Sequence, residues 1–244
     1  MTATIELTSA SSNMAAYLSS WSAGFSTTFG SFWSEDEGLV SDPSEVATNP
    51  DYEYTQWGNG SSGSNGVVLN GDFQYSQGNL TGTTTTLDLG TGYSQDDTNG
   101  IALSQTDLSI VTDPAYTTSG QDYLDLAVYD LTVNGSLDAL YDYLAQTGTV
   151  IEDTSSSDVL VGFGGADTFV FSGGTDTVTA DGAGTAGYQD GTDSLDISAW
   201  GATLFSQLTI GDALGDAYVN YNGNTIILDG VDYNDLGASD FLFA

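Results

Sequence analysis

The residues of this chain best suited to chemistry are aspartates spaced by nine. Units begin at Asp153, Gly162 and Phe171, with Asp158, Asp167 and Asp176 at the sixth place and Leu160, Phe169 and Val178 at the eighth. Gly165 and Gly174 stand two places before their aspartate, and Ser156 fills that slot in the first unit. The spacing has a physical logic. A Gly-rich half makes a tight turn whose carbonyls and carboxylate face a hard cation, and the other half is a short strand with its apolar residue turned inward. Such oxygen donors suit calcium. The expected site is therefore Asp158, Asp167 and Asp176, with turns at Gly162, Gly165 and Gly174. A further element, Asp190-Gly-Thr-Asp193-Ser-Leu195, repeats the motif out of phase and adds Asp190 and Asp193. The competing reading is a Gly/Asp-rich hairpin that holds no ion. Three units that keep both the aspartate and the apolar phase favour the repeat.

The charge pattern points the same way. The chain has 244 residues, 34 of them acidic, with no Lys, Arg or His, for a formal net charge of -34. No side-chain salt bridge can form, so each carboxylate must be solvated, hydrogen-bonded or bound to a cation. Carboxylates packed into successive turns repel, and divalent ions relieve that repulsion while making the fold conditional on metal. Nucleic acid and anionic membrane surfaces are excluded as partners, since both need cationic side chains. Catalysis by a Ser–His pair, a Cys thiolate or a Lys amine is excluded too. A carboxylate-only, glycosidase-like reaction remains, but nothing marks one acidic pair among the 34, so the chain reads as no enzyme. No stretch is long and apolar enough to span a bilayer, and the first residues lack the basic and apolar regions of a Sec-type signal.

Several elements must hold these turns. Thr2 to Leu7 alternates as a short strand, followed by caps at Ser11, Ser12 and Asn13 and a helical stripe of Met14, Tyr17, Leu18, Trp21 and Phe25. Ser34 to Glu53, broken by Pro43 and Pro50, reads as an acidic loop, either solvated or holding a further ion. Val67 to Tyr75, Leu80 to Leu89 and Ile101 to Val111 read as strands. Gln121 to Gln146 reads as two helices parted by Asn134-Gly135 and capped by Ser136. Beyond the repeats, Leu208 to Ile210, Ala217 to Tyr221 and Thr225 to Leu228 are closing strands with Asn222-Gly223 as a hairpin turn. The expected fold is an α+β domain over residues 1–150, an antiparallel sheet with helices on one face. An all-β parallel β-roll of calcium-binding nonapeptides follows over residues 151–244, with the boundary at Gly148 to Thr154.

Asp153 to Ala244 resembles the calcium-binding β-roll of serralysin-type secreted proteases and related RTX exoproteins. The matching stretches are Ser157-Asp-Val-Leu-Val-Gly, Gly165-Ala-Asp-Thr-Phe-Val-Phe, Asp190-Gly-Thr-Asp-Ser-Leu-Asp-Ile-Ser and Gly237-Ala-Ser-Asp-Phe-Leu-Phe. The resemblance implies an uncleaved type I secretion signal in Asp240-Phe-Leu-Phe-Ala, whose deletion is expected to leave the roll nearly whole. It implies no protease, since the zinc-binding His-Glu-x-x-His helix needs histidine. The first part is similar to the secreted haem-acquisition proteins called hemophores. Its matching stretches are Tyr17-Leu-Ser-Ser-Trp21, Thr28-Phe-Gly30, Gly78-Asn-Leu-Thr81, Ala127-Val-Tyr-Asp-Leu and Leu137-Asp-Ala-Leu-Tyr-Asp-Tyr-Leu144. That family's His ligand would fall within Phe32-Trp-Ser34-Glu35 and its Tyr ligand at Gly82, and neither ligand is present.

Together these readings predict a secreted, calcium-dependent, non-catalytic structural protein: a self-assembling matrix fibre, surface-layer or adhesive subunit. Its expected place is outside, or on the surface of, a Gram-negative cell, reached through the type I apparatus, without membrane insertion. The alternative is a hemophore-like extracellular protein that binds haem or another ligand. Self-association is expected to need calcium, with Thr2 to Leu7 either pairing into a neighbouring copy or serving as a strand of its own sheet.

Overall fold

The computed structural model describes residues 2–49, 51–76, 79–112, 123–180, 182 and 184–244. In chain order the elements are β1 Ala3–Leu7, α1 Met14–Gly24, β2 Ser31–Ser34, β3 Gly38–Val40, α2 Pro43–Thr48, β4 Glu53–Gly60, β5 Gly66–Ser76 and β6 Asn79–Thr91. There follow β7 Ser94–Asp96, β8 Gly100–Ala102, β9 Gln105–Val111, α3 Tyr123–Val133, α4 Asp138–Thr147, β10 Thr149–Glu152, β11 Val159–Leu160 and β12 Thr168–Val170. The last are β13 Thr175–Val178, β14 Ser194–Asp196, β15 Thr209–Ala213, β16 Asp216–Tyr221, β17 Asn224–Leu228 and β18 Phe241–Leu242. The chain is thus mixed α+β, and its helices are few. Among the described residues no helix is long and apolar enough to cross a membrane.

Two compact units emerge: residues 19–143, and residues 2–18 together with 144–244. The division departs from a single cut near residue 150, because the first strand belongs with the carboxy-terminal part. In the 19–143 unit, strands run in the order β9-β6-β5-β4-β2-β3, and every neighbouring pair is antiparallel. Trp57, Leu69, Leu87 and Leu89 are buried in it, and the Trp21 indole donates to the Gly90 carbonyl of β6 at 3.2 Å. The stretch read as an acidic loop, Ser34 to Glu53, holds β3 and α2 instead, with β3 paired back onto β2 just before it. Asp42 accepts from the Ser44 amide at 2.8 Å and Pro43 opens the helix, so an N-cap overrides the loop-like composition. Pro50, Gly78 and Gln121 lie outside the described residues. Between α3 and α4, Gly135 adopts φ +65 and its amide donates to the Asp130 carbonyl at 3.0 Å, while Ser136 caps the Asp138 amide.

The other unit is built from two ladders, visited alternately by the chain. The first runs β1-β10-β12-β14-β18, all parallel; the second runs β11-β13-β17 in parallel and continues antiparallel through β16 and β15. Val150 faces Thr168 and Val159 faces Thr177, each two nine-residue units further on. One nonapeptide therefore serves one ladder and the next serves the other. In register across the first ladder stand Ile5, Ile151, Phe169, Leu195 and Phe241, all buried. Across the second stand Leu160, Val178 and Leu228. Each apolar residue thus stacks on the one before, which is why the eighth place must be large and apolar.

β1 lies beside β10 of the same chain, Ala3 against Thr149 and Ile5 against Ile151, so Thr2 to Leu7 is a rung of its own ladder. The closing residues are structural as well. Phe241 pairs with Leu195, and the Ala244 amide donates to the Ala202 carbonyl at 3.0 Å. Removing Asp240 to Ala244 would take away the last rung, contrary to the expectation that this segment is separable.

Candidate metal centre

The nine-residue phase places its aspartates alternately at two edges of the ladders, and all four of Asp158, Asp167, Asp176 and Asp193 are buried. At one edge stand Thr149, Asp167 and Asp193. The Thr149 amide donates to Asp167 Oδ1 at 2.9 Å, and the Asp167 amide donates to Asp193 Oδ1 at 3.0 Å. The second oxygens are also occupied, by the Phe163 amide at 2.9 Å on Asp167 and the Gln189 amide at 2.8 Å on Asp193. Burial raises both carboxyl pKa values, Asp167 to about 6, and these amides offset part of the rise. A backbone amide thus reaches each of the four carboxylate oxygens of this edge.

The opposite edge is different. The Asp158 amide donates to Asp176 Oδ1 at 2.9 Å, repeating the stacking rule. Asp158 itself accepts from the Thr154 amide and hydroxyl at 3.1 and 2.8 Å on Oδ2. Asp176, however, is 0% exposed, and among the described residues its Oδ2 has no hydrogen-bond partner. Asp153 Oδ1 accepts from the Ser172 amide at 2.8 Å and hydroxyl at 2.6 Å, and its Oδ2 is a second buried oxygen without a partner. One carboxylate oxygen from each of Asp153, Asp158 and Asp176 lies within 4.8 Å of the other two. Burial is the main cause that pushes Asp176 up to about 7 and Asp153 to about 6, and the neighbouring carboxylates add to it. Three carboxylates with two unsatisfied oxygens form a hard, all-oxygen donor set suited to calcium.

Of the residues singled out by sequence, Asp158 and Asp176 meet here. Asp167 and Asp193 sit at the other edge, and Asp190 is exposed in a turn. The glycines shape the backbone. Gly174, at φ +115, has its Cβ position 2.1 Å from the Ser156 carbonyl, and Gly165, at φ +84, has its own 2.5 Å from the Ala145 carbonyl. Gly162 and Gly174 carbonyls are taken by the Ala186 and Thr225 amides. The residue that sequence reasoning did not count as a ligand is Asp153. Its signal is positional, since it begins its unit where the next units carry Gly162 and Phe171.

The 19–143 unit has a cleft of about 430 Å³ lined by Thr28, Phe29, Ser31, Ser41, Tyr93 and Gln95, among others. The positions where the hemophore resemblance places its haem ligands are otherwise engaged. Phe32 is buried between Tyr54 and Tyr75, with ring centroids 4.9 and 4.8 Å away. Gly82 pairs with Phe73 in the sheet. The Tyr93 hydroxyl donates to Gln95 Oε1 at 3.1 Å, and burial pushes its phenol to about 12, so it is protonated at neutral pH.

No family model and no curated protein matches this chain. Among solved structures, the apo hemophore HasA from Yersinia pestis is similar at 20% identity, covering 58% of this chain and 86% of its own, with a TM-score of 0.42. A single-site mutant of HasA from Yersinia pseudotuberculosis is similar at 18% identity, covering 59% and 88%, with a TM-score of 0.43. Likeness at this distance carries no function to the chain.

Proposed function

We propose that this chain is a non-catalytic, calcium-binding extracellular protein whose carboxy-terminal unit is a parallel β-roll fastened by the ion, serving a structural role such as a matrix-fibre, surface-layer or adhesive subunit. One observation carries the calcium reading: Asp176 is fully buried with an unpartnered Oδ2, and its carboxylate brings an oxygen within 4.8 Å of oxygens of Asp153 and Asp158. An unpaired buried carboxylate oxygen costs free energy that a bound cation recovers. Calcium accepts about 6–8 oxygens at about 2.3–2.6 Å in irregular arrangements, whereas magnesium demands a regular octahedron, so three carboxylates from a turn and a strand suit calcium better. Calorimetric titration of metal-free protein with calcium chloride tests this. The expected result is binding of one ion per chain and a higher melting temperature in calcium than in chelator. No heat and equal melting in both would overturn it.

The structural role follows from charge. Copies carrying -34 repel one another, and each bound ion removes two charges while ordering the ladders. Self-association should therefore appear in millimolar calcium and vanish in chelator, as read by sedimentation. Export through the type I apparatus belongs to the same reading. The tail is a rung of the fold, so substitutions at exposed Leu242 test the signal better than deletion.

A second reading, hemophore-like capture of haem or another ligand, is favoured by the cleft beside Phe29 and Tyr93. Haem titration decides it: a strong Soret band at stoichiometric haem supports capture, and its absence leaves the calcium role standing alone.

A further inference from the structure

We infer that Asp153 is a cation ligand and also the residue that opens the site, because it withdraws from Asp176 the backbone donor that closes the equivalent position in the other loops. The inference rests on the calcium reading and adds to it the residue that leaves Asp176 Oδ2 without a backbone donor. In three loops the amide four residues before the aspartate donates to its Oδ2: Thr154 to Asp158, Phe163 to Asp167 and Gln189 to Asp193. In the fourth loop that amide belongs to Ser172. It donates to Asp153 Oδ1 at 2.8 Å instead, and the Ser172 hydroxyl joins it at 2.6 Å. Asp176 keeps the Asp158 amide on Oδ1 and is left with nothing on Oδ2.

The diversion does two things at once. It frees an oxygen of Asp176, and it fixes the Asp153 carboxylate with its own Oδ2 buried and unpartnered. Asp153 stands at the first place of its unit, where the repeat asks for no carboxylate, so its charge is an addition to the pattern. With Asp158 and Asp176 it makes a trianionic site, and affinity for calcium rises with the number of charged ligands. Asp153 follows β10, Asp158 precedes β11 and Asp176 lies in β13, so an ion held by all three ties successive turns of the chain together.

The test compares full-length parent with Asp153→Ala and Asp153→Asn, by calorimetric calcium titration and by melting in chelator. In Asp153→Ala the Ser172 amide can return to Asp176. Calcium affinity should fall at least about tenfold, while melting in chelator is no lower than in the parent. Asp153→Asn keeps the acceptor for Ser172 but removes the charge, and should also weaken calcium about tenfold. Parent-like affinity in either variant would overturn Asp153 as a ligand. Lower melting of Asp153→Ala in chelator would make Asp153 a plain structural staple and overturn the diversion. Should Asp153→Ala fail to fold, that outcome likewise counts against the diversion, and Asp153→Asn still decides the ligand. A parent that binds no calcium would remove the calcium reading itself, a result distinct from all of these.

Discussion

The two edges of the carboxy-terminal ladders are built from the same repeat and reach opposite ends. At the Asp167–Asp193 edge every carboxylate oxygen accepts a backbone amide. At the Asp158–Asp176 edge Asp158 accepts the amide and hydroxyl of Thr154, but the Ser172 amide goes to Asp153, which leaves Asp176 Oδ2 unpaired beside an equally unpaired Asp153 Oδ2. A repeat of this kind has two ways to hold a buried carboxylate. It can saturate the oxygens with peptide N–H groups, which makes a metal-free staple, or leave lone pairs over and require a cation. Which one results is decided by a single neighbour, not by the repeat.

The largest expected effect comes from breaking the closed edge. Asp167→Ala strips the acceptor from two amides, Thr149 and Phe163, and each orphaned buried donor costs about 1–3 kcal/mol. The loss, read by urea unfolding, should be the same in chelator and in calcium. A loss confined to calcium would make Asp167 a ligand and erase the contrast between the edges. Next comes Asp176→Asn, which keeps an acceptor for the Asp158 amide and removes the charge. Stabilisation by calcium, about 2.7 kcal/mol at a hundredfold excess over Kd, should vanish, with little change in chelator.

A smaller, graded effect concerns pH in chelator. Asp153, Asp167 and Asp176 have folded pKa values of about 6, 6 and 7, raised from 3.8. The folded state therefore binds protons more tightly than the unfolded chain. Their contribution is most favourable below about pH 4 and is lost as pH rises through 6 to 7. Melting measured from pH 4.5 to 8 should decline across that window, and a flat profile would contradict the burial of these groups. The smallest effect is a control remote from both edges. Leu214 turns the β15–β16 hairpin at φ 65, fully exposed, where the β16–β17 hairpin uses Asn222 at φ 52. Leu214→Asn should add about 0.5–1 kcal/mol equally with and without calcium, because Asn tolerates the left-handed region better.

Much of this was legible in the residues. The nine-residue phase marks both ladders, because an apolar residue at every eighth place can only be buried by stacking on its counterparts. Asn222-Gly223, Asn134-Gly135 and the Ser136 cap are local signals that need no tertiary knowledge. The β2–β3 hairpin and α2 were hidden because acidic composition reads as solvated loop, although Asp42-Pro43 is a cap signal on closer reading. The partner of β1 was ambiguous, since alternation reports a strand but not what it pairs with. The asymmetry of the edges lay beyond reach. It depends on where one amide of Ser172 points, and spacing does not encode that.

The placement of β1 also has a consequence in time. Ala3 finds its partner in Thr149, so β1 cannot join this ladder until β10, far along the chain, has been made. The rung β18 is supplied by Phe241–Leu242, further along still. Contacts this distant in sequence form slowly and late. The first ladder can therefore be completed only after strands far apart in the sequence have all been made, and until then its growing edge stays open to whatever handles a nascent polypeptide.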